Sequence, residues 1–199
     1  DGVLYIGGSF TKVGGLELDD RGIVKYEDGR IERVVDGFNG WIEHFIEKDG
    51  VLYIGGFFTE VGNLKLDGCG IVKYEDGRIE KVVDGFDDPI GHFIEKDGVL
   101  YIGGYFTKVG GLELNGCGIV KYEDGRIERV VDGFDGRIEH FIEKDGVLYI
   151  GGYFTKVGGL ELNGRGIVKY EDGRIERVVD GFDDQIMHFM EIKNKTKLE

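Results

Sequence analysis

The chain has 199 residues, long enough for a substantial core, and its 32% charged residues are balanced by 41% hydrophobic ones, which excludes disorder. A formal net charge of −14 argues against a nucleic-acid partner, because phosphate neutralisation takes clustered Lys and Arg. Thirty-seven glycines against one proline, with no collagen period, point to many tight turns between short strands.

In chain order, the first element is Asp1-Gly-Val-Leu-Tyr-Ile-Gly-Gly8, and the same string returns at Asp49, Asp97 and Asp145. The period is therefore 48 residues, a length that signals stacked or circular repeats. The units run 1–48, 49–96, 97–144 and 145–192 and form one domain, 1–192. Residues 193–199 read as a tail, with Leu198-Glu199 resembling a cloning remnant.

Around one unit, four strands follow one another: Ile90 to Glu95, Val99 to Ile102, Cys117 to Tyr122 and Arg126 to Val131. All are short and rich in β-branched or aromatic residues. Asp97-Gly98 and Asp124-Gly125 predict two-residue type I′ hairpins, in which both central residues take φ > 0. The other two connections, Thr107 to Gly116 and Asp132 to Arg137, are longer. Four antiparallel strands per unit predict an all-β, four-bladed β-propeller of four-stranded antiparallel blades. The apolar segment around His92 is expected innermost, and the charged, alternating Arg126 to Val131 outermost, where charge deters edge pairing.

The last element, Gln185 to Ile192, is an inner strand with no DGVLYIGG behind it, just as the first DGVLYIGG has no inner strand in front. The expectation is that Ile186 to Ile192 pairs beside Val3 to Phe10, so the C-terminal inner strand joins the N-terminal strands and closes the ring. A monomer is favoured; the alternative is a dimer whose two chains share one eight-bladed ring.

Each copy reads DGVLYIGGxFTxVGxLxL…GIVKYEDGRI, with Gly7-Gly8 and Phe10 in the first. This resembles the GGxFT β-propeller repeats, the delta-sixty type of bacterial and archaeal proteins, often surface-associated. The resemblance implies the propeller fold and says nearly nothing about activity. Copies this similar imply recent amplification or deliberate engineering of a symmetric chain.

Both Asp-Gly hairpins fall on one face and both long connections on the other. Differences among copies gather on the long-connection face: Ser9, Phe57, Tyr105 and Tyr153 share one position, and Trp41, Pro89, Arg137 and Gln185 head the inner strands. Loops on a rigid scaffold are where binding resides, so Trp41, Arg137, Tyr105 and Tyr153 are the candidate ligand contacts. His44, His92, His140 and His188 occupy one position of the repeat. They either line the axis, where imidazoles would offer a divalent metal site, or pack between blades. The acidic run Asp84-Gly-Phe-Asp-Asp88 is expected to make a turn that buries Phe86, with calcium binding as the alternative.

No G-x-S-x-G elbow, phosphate loop or HExxH motif occurs, and every unit carries the same carboxylates, so no enzyme and no cofactor are expected. The expected role is a non-catalytic symmetric scaffold with ligand or protein binding at the long-loop face. Alternatives are a multivalent lectin-like protein, with Tyr105 and Tyr153 stacking on sugars, and a metal-binding propeller with an axial site. No apolar run approaches the roughly 18 residues a membrane helix needs, and no signal peptide is visible. Cys69 and Cys117 stand one period apart and are expected to be free thiols, compatible with cytoplasmic expression, although localisation and partners stay open.

Overall fold

In the computed structural model, which describes residues 2–190, regular structure is entirely β and every strand pairing is antiparallel. The four strands expected per repeat are present in the expected order. In the third sheet they are Ile90–Lys96, Val99–Gly104, Cys117–Glu123 and Arg126–Phe134. The second and fourth sheets repeat this with Trp41–Lys48 and Arg137–Lys144 as their inner strands.

The Asp-Gly turns form as the chemistry requires. Asp97 and Gly98 have φ of 53° and 87°, and Asp124 and Gly125 have 47° and 78°. These are the left-handed values of a type I′ turn, which Asp tolerates and Gly adopts without a steric penalty. Glu95 then accepts the Gly98 N–H at 2.7 Å, tying the turn to the inner strand.

One element was not foreseen. The long connection after Thr107 contains a small hairpin, Lys108–Val109 with Leu112–Glu113. It does not join its own sheet. Val109 pairs with Phe86, at the end of the preceding sheet's outer strand Arg78–Phe86. The same swap attaches Glu60–Val61 and Leu64–Lys65 to the first sheet, and Lys156–Val157 and Leu160–Glu161 to the third. The sheets therefore hold five, six, six and four strands rather than four each. The hairpin Lys12–Val13 with Leu16–Glu17 stands as a separate two-stranded ribbon.

The swap is a staple with a repeated hydrogen-bond set. Asp87 accepts the Thr107 N–H at 3.0 Å, the Thr107 hydroxyl at 2.9 Å and the Lys108 N–H at 2.9 Å. Asp135 does the same for Thr155 and Lys156. Backbone bonds from Gly110 N to Gly85 O and from Asp87 N to Lys108 O flank the set. The carboxylates of Asp-Gly-Phe-Asp-Asp are thus largely committed to the backbone: Asp84 accepts the Asp67 N–H at 2.8 Å. Asp84-Gly-Phe86 closes the strand Arg78–Phe86 and the chain bends only at Asp87-Asp88, later than the expected turn; Phe86 and Phe134 are fully buried as expected, whereas Phe182 is 42% exposed.

The core consists of three clusters, each lying between successive sheets. One joins Ile23, Val35 and Phe38 of the first sheet to Ile42, Ile54 and Phe58 of the second. The other two are built from the equivalent residues one and two periods on. Phenylalanines cross each junction edge to face, Phe38 on Phe58, Phe86 on Phe106 and Phe134 on Phe154, at 4.7–4.8 Å. The double glycine of each repeat makes this approach possible. A Cβ on Gly103 would meet the Phe141 ring at 3.0 Å, and one on Gly104 would stand 2.3 Å from the Pro89 carbonyl oxygen.

The expected closure of the ring is not present among the described residues. Leu4–Gly7 pairs only with Arg21–Glu27. The segment 185–190 forms no strand beside it, and instead packs on the fourth sheet, with Ile186 N donating to Gly152 O at 3.2 Å. Glu191-Ile192 of the expected closing strand and the tail 193–199 lie outside the described residues. The curvature set by three well-packed junctions leaves the first and fourth sheets as open ends.

Candidate functional site

The inner strands bring the histidines together. His44, His92, His140 and His188 form a column with successive ring centroids 4.1, 4.4 and 4.2 Å apart. The first three rings also meet the phenylalanine that follows the next histidine: His44 on Phe93, His92 on Phe141 and His140 on Phe189, all at 4.9 Å. The rings pack on one another and on these phenylalanines, and Nδ1 of His44, His92 and His140 has no hydrogen-bond partner among the described residues, unlike the hydrogen-bonded packing expected between blades. Burial, with the neighbouring imidazoles adding to it, lowers the pKa to about 4 for His44 and His140 and to about 2 for His92. His44, His92 and His140 are neutral at pH 7. No group of three or more His, Cys, Asp or Glu among the described residues is arranged to hold a metal ion.

Trp41, Tyr105 and Tyr153 lie on the long-connection face, each about half exposed. Trp41 stands opposite Phe57 in the strand register, with their rings 5.9 Å apart and tilted by 49°. Tyr105 is held by its backbone: its N–H donates to Pro89 O at 3.1 Å, and its carbonyl accepts the Cys117 thiol at 3.4 Å. Tyr153 stands opposite Arg137, and its ring carries the Arg165 guanidinium 4.2 Å from the centroid. These residues do not converge on one pocket. They are spread over the second, third and fourth sheets, and Ser9 stands at the Tyr105 position in the first copy.

Arg137 does something the sequence did not disclose. Its Nε lies 3.1 Å from Glu139, and its Nη2 reaches Glu43, on the inner strand two repeats earlier, at 3.6 Å. Burial raises the Glu139 pKa; Arg137 opposes the shift and Glu43 adds to it. Asp88 is likewise raised, by burial and by Asp87, with Arg137 pulling against both. Arg137 is thus the cation in a cluster of carboxylates at the mouth of the inner strands. Glu43 and Glu139 were missed because they look like ordinary exposed strand positions. Only the curvature of the sheet array brings residues 43 and 137 together.

Cys69 and Cys117 are free and buried, and burial pushes both thiols up to about 11. They are packing residues without nucleophilic character at neutral pH.

No family model matches this sequence, and no curated protein matches it. Among solved structures, the chain is similar to the β-propeller domain of the Trilobed protease from Pyrococcus furiosus, described as having an open velcro topology. The TM-score is 0.50 at 18% identity, and the match covers 94% of this chain and 51% of that one. The fold is a β-propeller. The chain spans about half the length of the solved propeller it matches, and the likeness carries the fold alone. The histidines lie along the inner strands of the successive sheets. No helix among the described residues is long and apolar enough to cross a membrane.

Proposed function

We propose that this chain is a non-catalytic propeller scaffold contributing four blades of the GGxFT repeat type, whose long-loop face binds a protein ligand. One observation carries the reading: Trp41, Phe57, Tyr105 and Tyr153 stay exposed, Arg137 and Arg165 flank Tyr153, and the neighbouring loops are fixed by the aspartate staples. Trp, Tyr and Arg are the residues that concentrate binding energy at protein interfaces, and rigid loops lower the ordering cost of binding. The opposite, hairpin face contrasts with this. There Lys73, Lys121 and Lys169 are each paired with a glutamate at 2.9 Å.

The repeat motif supports the assignment to the GGxFT type through the role each letter plays. The glycines admit the neighbouring ring and carbonyl, Phe fills the inter-blade core, and Thr completes the staple. The absence of a converging nucleophile and base in the sequence supports a binding role over a catalytic one.

A panel of peptides selected from a random display library against the 199-residue chain tests the binding face. Selected peptides should lose at least 10-fold in affinity for a variant carrying Trp41→Ala, Tyr105→Ala and Tyr153→Ala. If every selected peptide binds that variant as well as the parent, the face is not the binding surface. The lectin-like reading is supported by the exposed tyrosines. It is separated by a glycan array, on which a protein-binding face stays silent.

A further inference from the structure

We propose that the two open ends of this chain are the two halves of one more inter-blade junction, made between two copies, so that two 199-residue chains associate head to tail into a closed ring of eight blades. The argument rests on what the three internal junctions bury and the ends expose. Leu52, Leu100 and Leu148 are 3–4% exposed, whereas Leu4 is 57% exposed. Phe38, Phe86 and Phe134 are at most 1% exposed, whereas Phe182 is 42% exposed. Ile6 and Val179 follow the same rule, and Val178 is 48% exposed where its counterparts Val34, Val82 and Val130 are partly buried. The counterparts of the two ends touch one another inside the chain.

The fourth blade even holds the seat open. A cavity of about 260 Å³ is lined by Ile142, Tyr149, Ile167, Val178 and Phe189. One period earlier, Ile94, Tyr101 and Val130 pack against the core that contains Leu148. One period earlier still, Ile46, Tyr53 and Val82 pack against the core that contains Leu100. The residue that belongs in the cavity is therefore Leu4, and no Leu4 reaches it within the chain.

The hydrogen-bonding pieces match as well. The segment 185–190 is already seated as an inner strand would be: a Cβ on Gly151 would meet the Phe189 ring at 3.0 Å, as one on Gly103 would meet Phe141. Inside the chain the pairs are His92 with Gly103 and Phe93 with Ile102. Shifted by the period, His188 pairs with Gly7 and Phe189 with Ile6 of the second copy. Asp183 is the counterpart of Asp87 and Asp135, and the free ribbon Lys12–Val13 is the counterpart of the swapped hairpins. Thr11 of the second copy then completes the staple on Asp183, and its Val13 pairs with Phe182. A heterologous contact of this kind builds rings when its rotation closes. Two identical four-blade arcs make two identical junctions and leave no edge.

Light scattering on the 199-residue chain at micromolar concentration should give twice the 22.2 kDa chain mass. Phe182→Asp spoils one end and Leu4→Asp the other; both side chains are exposed within a single copy, so far-UV circular dichroism should stay unchanged. Each variant alone should fall to the single-chain mass, with association at least 100-fold weaker. Mixed in equal amounts, the two variants retain one good junction and should recover a pair, held more weakly than the parent. A single-chain mass for the parent at every concentration overturns the proposal. So does a pair indifferent to both substitutions, a mixture that fails to pair, or open-ended polymers in place of a closed pair.

Discussion

His92 is buried, touches His44 and His140, and makes no hydrogen bond through Nδ1 among the described residues. Its folded pKa lies below the unfolded value, as do those of His44 and His140. Between the two values the unfolded chain binds protons that the folded chain refuses. Stability is then fully present above about pH 6.5 and is lost as pH falls towards 4. At pH 5 the loss is about 2 kcal/mol per histidine, or roughly 6 kcal/mol for three, comparable to a domain's whole stability. Urea titrations from pH 7 to pH 5 should show this slope, and His92→Gln should remove about a third of it. A flat profile in the parent would mean that the rings are not packed as described. The glycines give a second contrast at this scale. Gly104→Ala drives a Cβ into the Pro89 carbonyl and should cost roughly 1–3 kcal/mol, whereas Gly111, with nothing within 4 Å, should tolerate Ala within about 0.5 kcal/mol. The buried thiols should resist maleimide at pH 7 until the chain is unfolded.

At the scale of elements, the swapped hairpin is the device that joins one blade to the next. Its energy is concentrated in single aspartates. Asp135→Ala removes three acceptor contacts and leaves the Thr155 and Lys156 N–H groups without their partner; the expected cost is about 1–3 kcal/mol in chemical denaturation. Thr155→Val removes only the hydroxyl bond and should cost about 1 kcal/mol. If the two variants lose equally little, the hairpin is held by Val157 and Phe134 packing and not by the carboxylate. Asn39 shows that the position tolerates a neutral acceptor, since its side-chain oxygen takes the Thr59 and Glu60 N–H groups at 3.0 and 3.1 Å. The deeper consequence is topological. Because each repeat lends its hairpin backwards, the first repeat's ribbon and the last blade's outer edge are left over as a matched pair.

At the scale of the whole molecule, stability should vary along the array, because each unit contacts mainly its neighbours. In a chain held single by Phe182→Asp, hydrogen exchange should be fastest in Leu4–Gly7 and Arg174–Phe182 and slowest in Ile90–Lys96 and Val99–Gly104. Uniform protection across the four large sheets would mean that the ends are covered by something other than a second copy.

The sequence by itself determined the main strands of each unit and the turns between them, though not the small hairpin after Thr107. The strand order, the Asp-Gly turns and the burial of Phe86 follow from pattern, backbone chemistry and repetition. Only the tertiary structure decided where the hairpin after Thr107 attaches, because a two-residue strand has no periodicity and its partner, Phe86, lies on another blade. Only curvature decided that Arg137 meets Glu43 and that Leu4 does not meet Tyr149. The angle between blades is set by the packing of three buried clusters, and no local pattern in a chain encodes how such angles add up.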